Sequence, residues 1–72
     1  MLTAHDKIIA LMVEHGLGFL FNPGGGQFTC RDSSYPLYGF NCQVDAWGDE
    51  EADLKRLEKG IAEALAKIEA KT

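Results

Sequence analysis

The side chains best suited to catalysis or metal binding are few and widely spaced in this chain. Two cysteines, Cys30 and Cys42, form a C-x11-C arrangement that matches no zinc signature. The histidines, His5 and His15, lie near the N-terminus, and no serine or cysteine is expected beside them. We therefore expect no catalytic residue, metal or cofactor, and predict that the protein is not an enzyme. The cysteines are predicted to be buried, reduced thiols, with a disulfide or a bound metal as the alternatives.

The glycine-rich stretch FNPGGGQF, residues 21–28, raises the question of a phosphate site. Phosphate loops place their glycines between a strand and the N-terminus of a helix. Here QFTCR follows, which alternates like a strand, and no GK[ST] or GxGxxG motif is present. Pairing Phe21 with Phe28 leaves 23–26 as a four-residue hairpin loop, so the glycines are predicted to turn the chain. A loop that also touches a partner is the alternative.

The acidic stretch DAWGDEEAD, residues 45–53, is the least ordinary feature of the sequence. Acids favour the first turn of a helix, but helix formation does not account for Trp47 in their midst. Strand parity directs Trp47 to the solvent face, where a tryptophan is suited to anchor an interface. The alternative is that Trp47 folds over the sheet edge. The predicted partner-binding residues are Asp45, Trp47, Asp49, Glu50, Glu51 and Asp53.

Helical periodicity marks the N-terminal segment. Ile8 begins an apolar stripe with spacing i, i+3, i+4, i+7. Thr3 is suited to be the N-cap, with Asp6 as its capping-box partner. Gly16 stands where a glycine would end the helix. We predict a first helix over residues 4–15.

The C-terminal segment has the same period and predicts a second helix. Asp49 is suited to cap it, and Gly60 interrupts it at a cost of about 1 kcal/mol relative to alanine. Gly60 lies beside apolar positions, which indicates close approach of this helix to the sheet. The stripe of this helix consists of Leu54, Leu57, Ile61, Ala64, Leu65 and Ile68.

Between the helices the period is two, over 17–22, 27–31 and 38–47, which predicts three antiparallel strands. One register of the second and third strands places Cys30 opposite Cys42, and a shift by two makes them diagonal neighbours. The predicted core is Ile8, Leu11, Met12, Phe19, Phe21, Phe28, Phe40, Val44, Leu57, Ile61, Leu65 and Ile68.

These elements predict one α+β domain over residues 1–72, a two-layer α-β-β-β-α fold. A three-stranded antiparallel meander carries both helices on one face. The element order resembles the double-stranded-RNA-binding domain, whose last helix begins with a lysine cluster. The matching place here reads GDEEADLKR, with acids first. The resemblance therefore implies a topology and no phosphate-binding role.

Composition narrows the partners further. The chain has 7 basic and 11 acidic residues and a net charge of −4. Nucleic acids and anionic membranes attract basic surfaces, so neither is expected as a direct partner. The N-terminus shows no pattern of an export signal, and the two cysteines do not require an oxidising compartment. We expect a cytoplasmic protein.

These features together predict a non-enzymatic, inhibitor-type binding protein. Its partner would be a protein with a basic surface, including one that normally holds nucleic acid. In size and charge the chain is similar to phage-encoded inhibitors of host defence, such as anti-CRISPR proteins. The alternative is a homo-oligomeric structural or accessory protein, a homodimer for example, that assembles through the open edge of its third strand.

Overall fold

The computed structural model describes residues 2–44 and 49–71. In these residues one helix precedes three strands and a second helix follows them. The strands form one antiparallel sheet in the order β1-β2-β3. α1 packs on β1, α2 packs on β3, and the helices contact each other, which confirms the predicted α+β meander with both helices on one face. The elements are α1 (Ala4–His15), β1 (Leu17–Asn22), β2 (Gly25–Cys30), β3 (Asn41–Val44) and α2 (Glu50–Lys71).

Both ends of α1 follow the prediction. The Asp6 N–H donates to Thr3 Oγ1 at 3.1 Å, and the Thr3 N–H donates to Asp6 Oδ2 at 3.2 Å. These reciprocal bonds form a capping box. At the other end Gly16 adopts the left-handed conformation, with φ 67°, and its N–H donates to the Met12 carbonyl. A glycine adopts this conformation without steric penalty, so the helix ends there.

The β1–β2 hairpin has a tighter turn than predicted. Asn22 pairs with Gly25, and Phe19 pairs with Phe28, so Pro23 and Gly24 alone connect the strands. The predicted four-residue loop over 23–26 is wrong. The true register differs from the predicted one by two residues. Because side chains alternate with a period of two, the shift left every side chain on its predicted face.

β2 and β3 adopt the register that makes the cysteines diagonal neighbours. Phe28 is opposite Cys42, and beyond the end of β3 the Cys30 N–H donates to the Phe40 carbonyl at 3.1 Å. β3 begins at Asn41, later than the predicted residue 38, because residues 33–39 form turns. The segment between the strands also buries Leu37, which is only 2% exposed and was absent from the predicted core.

α2 lies against the sheet and supplies the centre of the core. Leu57 is fully buried. A β-carbon on Gly60 would lie 3.3 Å from Phe40 Cζ and 3.5 Å from Cys42 Sγ, which confirms the close approach predicted at this glycine. The buried core consists of Ile8, Leu17, Phe28, Cys30, Leu37, Cys42, Val44, Leu54, Leu57 and Ile61. Predicted members that pack against it while partly buried are Leu11, Met12, Phe40, Leu65 and Ile68.

Two predicted core residues are not part of this core. Phe19 is 40% exposed and Phe21 is 60% exposed, although both alternate in phase with the buried Leu17. The predicted burial of the two phenylalanines is therefore wrong. Parity assigns a side chain to a face of the sheet, but burial also requires a second layer above that position. Among the described residues, neither helix is long and apolar enough to cross a membrane.

Candidate functional site

An apolar cleft opens between α1, the start of α2 and the β1 edge of the sheet. Its exposed walls include Ile9, Phe19 and Phe21, and the buried side chains of Ile8 and Phe28 also line it. The cleft has a volume of about 390 Å³. Exposed apolar clusters of this kind, when polar residues surround them, mark sites where proteins bind partners or ligands.

The position of Phe19 within the cleft is determined by its neighbours on β2. Its ring packs edge-to-face on Phe28, with centroids 5.0 Å apart and an interplanar angle of 60°. The ring also lies over Gly26, where a β-carbon would fall within 3.0 Å of three of its atoms. An edge-to-face pair restricts both rings beyond simple burial. The cleft therefore has at least one pre-positioned aromatic wall.

Carboxylates border the apolar walls. Glu50 and Asp53, from the first turn of α2, line the cleft together with His5 of α1. The His5 Nδ1 lies 3.6 Å from Glu50 Oε2, and both side chains are more than half exposed. Because surface ion pairs contribute little to stability, a cationic partner would replace the His5–Glu50 contact at small cost to the fold.

The other predicted binding residues have different places. Asp49 caps α2: its Oδ1 accepts from the Glu51 N–H at 2.9 Å, and its carbonyl accepts from the Asp53 N–H at 3.0 Å. Glu51 is exposed and lines a separate depression with Lys7 of α1. Asp45 and Trp47 lie outside the described residues.

Of the predicted set, the structure thus brings Glu50 and Asp53 to the cleft, beside apolar residues that the sequence analysis assigned to the core or left out of the site. No signal in the sequence singled out these apolar residues as a site. Phe19 and Phe21 share the parity of the buried Leu17, so alternation assigned all three to the buried face. Ile9 likewise only widened the apolar stripe of α1.

The two cysteines are diagonal neighbours on β2 and β3, but their thiols have different hydrogen-bond partners. Both are free and buried. The Cys30 thiol donates to the carbonyls of His15 and Asp32, at 3.6 and 3.7 Å, whereas the Cys42 thiol contacts the Arg56 carbonyl at 3.8 Å. Burial raises the pKa of the Cys42 thiol, since the charged thiolate is poorly solvated there. This environment makes Cys42 a weak nucleophile at neutral pH.

Polar side chains in the turn after β2 form local hydrogen bonds within that turn. The Asp32 carboxylate accepts from both the Ser34 hydroxyl, at 2.7 Å, and the Ser34 N–H, at 2.9 Å. These bonds stabilise the charged form and lower the pKa of Asp32. Within residues 2–44 and 49–71, no three histidine, cysteine or acidic side chains cluster as a metal site would require.

Comparison with known proteins adds no further assignment. No protein-family model, no curated protein and no solved structure matches this chain. The first turn of α2 carries Glu50, Glu51 and Asp53 where the double-stranded-RNA-binding domain carries lysines.

Proposed function

We propose that this protein is a non-enzymatic binding protein whose cleft holds a basic segment of a partner protein. One observation carries the proposal: the exposed apolar walls made by Ile9, Phe19 and Phe21 adjoin the carboxylates of Glu50 and Asp53. Protein interfaces have this arrangement, with an apolar and aromatic centre and a polar rim. The partner would present an apolar anchor flanked by lysine or arginine.

The two parts of the cleft would contribute differently to binding. Aromatic side chains at the centre of an interface contribute most of its energy, because they bury a large area when water is excluded. Charges at the rim act mainly on the rate of association, and salt screens them. Phe19 and Phe21 would therefore hold the partner, whereas Glu50 and Asp53 would guide it into place.

The partner class follows from this charge pattern. A protein that normally binds nucleic acid has a basic surface, and an acidic domain that occupies this surface blocks the site. We propose an inhibitor-type action of this kind in the cytoplasm, as in phage-encoded anti-CRISPR proteins. Trp47, from the predicted site, is proposed as a further anchor of the same interface.

The test is affinity capture from the native cell, followed by binding kinetics with the captured partner. Phe21→Ala should raise the dissociation rate at least about tenfold, equivalent to 1.4 kcal/mol. Glu50→Lys with Asp53→Lys should slow association, and added salt should reduce this difference. Trp47→Ala is measured alongside them.

A matched control reverses two exposed acids elsewhere on α2, Glu58→Lys with Glu69→Lys, which makes the same change in net charge. This control should bind within about threefold of the parent, that is, less than 1 kcal/mol. Equal losses in both double variants would show that overall charge is responsible, and folded Phe21→Ala with parental kinetics would place the site elsewhere.

A further inference from the structure

A second groove, at the opposite edge of the sheet, has the opposite charge. It lies between β3 and α2 and has a volume of about 580 Å³. Among the described residues, its charged lining consists of Arg56, Lys59 and Lys67 with Glu63 as the one acid. These cations share a helix face because their spacings are near multiples of one turn. In a chain of net charge −4, the fold has gathered three of the 7 basic residues beside one strand edge.

The strand beside these cations is open to pairing. In the described part of the chain β3 lies at the sheet edge, next to β2 alone. The side chains of Asn41 and Gln43 are exposed. The Gln43 carbonyl points away from β2 and accepts from Arg56 Nη1 at 3.3 Å, so an added strand would share this acceptor with Arg56 or displace it. Backbone groups that point outward from an edge strand can pair with an added strand.

The charge of the groove distinguishes among three possible partners of the β3 edge: a second copy of this chain, a nucleic acid and an acidic peptide. If β3 paired with its own copy across a two-fold axis, the two basic stripes would lie on one face of the joined sheet and repel each other. Nucleic acid needs an extended basic surface, whereas this groove lies on an acidic protein. An extended peptide with acidic side chains meets both the backbone edge and the cations.

We propose that the β3 edge and the basic stripe of α2 bind an extended acidic segment of a protein partner, which adds to the sheet as a fourth strand. Backbone hydrogen bonds to Asn41 and Gln43 would hold the segment, and Lys59 and Lys67 would select its carboxylates. This site is separate from the cleft and does not depend on the function proposed for it.

The probe is a fluorescein-labelled peptide of about six residues that alternates glutamate and threonine, matching the usual length of a strand. Anisotropy gives its affinity, and amide shifts of isotope-labelled protein locate it. Binding should move the amides of Asn41 and Gln43 most. Lys59→Glu with Lys67→Glu should weaken binding at least about tenfold. The control, Lys7→Glu with Lys55→Glu in a different depression, makes the same charge change and should retain affinity within about threefold.

A second comparison separates strand addition from simple anion binding. The same peptide with alternate backbone amides methylated should bind at least about tenfold more weakly, because it cannot complete the hydrogen-bond ladder. Equal affinity of the methylated peptide, equal losses in the two double variants, or no binding up to about 1 mM peptide would overturn the proposal. Displacement of the peptide by a single-stranded RNA of equal charge would also overturn it, and would make the groove a nucleic-acid site.

Discussion

The ring of Phe19 on β1 covers Gly26 on β2 so closely that no side chain fits between them. A β-carbon on Gly26 would fall within 3.0 Å of three atoms of that ring. A glycine within a strand weakens it, and an aromatic ring on the neighbouring strand can compensate by covering the exposed backbone. The last glycine of the PGGG stretch therefore serves the packing of Phe19, rather than the turn.

Gly26→Ala should accordingly destabilise the domain, because the added methyl group must displace Phe19. Overpacking of this kind costs about 1–3 kcal/mol. The measurement is the free energy of unfolding in urea. The matched control is Gly18→Ala on β1, where an added β-carbon meets nothing within 4 Å. Equal stabilities of the two variants would contradict the proposed contact.

The hairpin shows which parts of the fold could be predicted from the sequence. Alternation revealed the strands and their faces, since a period of two survives a shift of register by two. It could not distinguish a four-residue loop from the observed Pro23–Gly24 turn, because glycine is compatible with either. Gly26 was assigned to the loop. The reason for a glycine at this position is the Phe19 ring, which leaves no room for a side chain, and that contact becomes apparent only in the folded structure.

A second glycine prediction separates backbone strain from steric conflict. Gly16 has φ +67°, and a β-carbon on it would lie within 2.8 Å of three Tyr35 ring atoms. Gly39 has φ +91° but open space around it. Both alanine variants should lose about 1–2 kcal/mol from the left-handed backbone, and Gly16→Ala should lose more because Tyr35 must move. Urea unfolding measures both, and a larger loss in Gly39→Ala would refute the ranking.

The capping box predicts a pH dependence. The pKa of Asp6 lies below its ordinary value, first because the Thr3 N–H bonds to its carboxylate and second because of the Thr3 side chain. A lowered folded pKa gives stabilisation that is present above the unfolded value, about 3.9, and is lost as pH falls through the folded value. The stability difference between parent and Asp6→Asn should therefore shrink as the pH falls below about 4. A difference independent of pH would show that the carboxylate charge is not responsible.

The thiols should react slowly in the folded protein. Burial raises the pKa of Cys42, so little thiolate forms at neutral pH, and Cys30 is also buried. Alkylation of Cys30→Ser and Cys42→Ser variants reports each remaining thiol separately. Each should react at least about tenfold more slowly folded than in urea, where the thiols are solvated. Intact mass after rapid denaturing alkylation of the parent should show two modified cysteines, and a thiol pair protected until reduction would instead establish a disulfide.

The candidate site was harder to anticipate than the fold. Glu50 and Asp53 stood out because acids are dense in that segment. Asp49, in the same stretch, was predicted both to cap α2 and to bind the partner, and its role as the cap is confirmed. Charge density cannot separate the acids that line the cleft from Glu51, which lines a different depression, until the backbone is built. The exposure of Phe21 depends on where α1 and α2 cease to cover β1, which is a property of helix placement that strand parity does not contain.

The last prediction compares a core side chain with a cleft side chain. Leu57 is fully buried at the centre of the core, so Leu57→Ala should lower the free energy of unfolding by about 2–5 kcal/mol through lost burial and the cavity left behind. For a domain of this size such a loss approaches the whole stability. Phe21 is larger but 60% exposed, so Phe21→Ala removes less buried area and should cost clearly less, although phenylalanine in a core is usually the more expensive deletion. Urea unfolding of both variants, with Leu57→Met as a volume-conserving control expected to lose under about 1.5 kcal/mol, decides the comparison.

If Phe21→Ala proves as destabilising as Leu57→Ala, the phenylalanine belongs to the core and the cleft loses its exposed aromatic wall. The expected result would show that Phe21 contributes less to stability than Leu57 does. A loss of partner binding in the folded Phe21→Ala variant could then be attributed to the cleft.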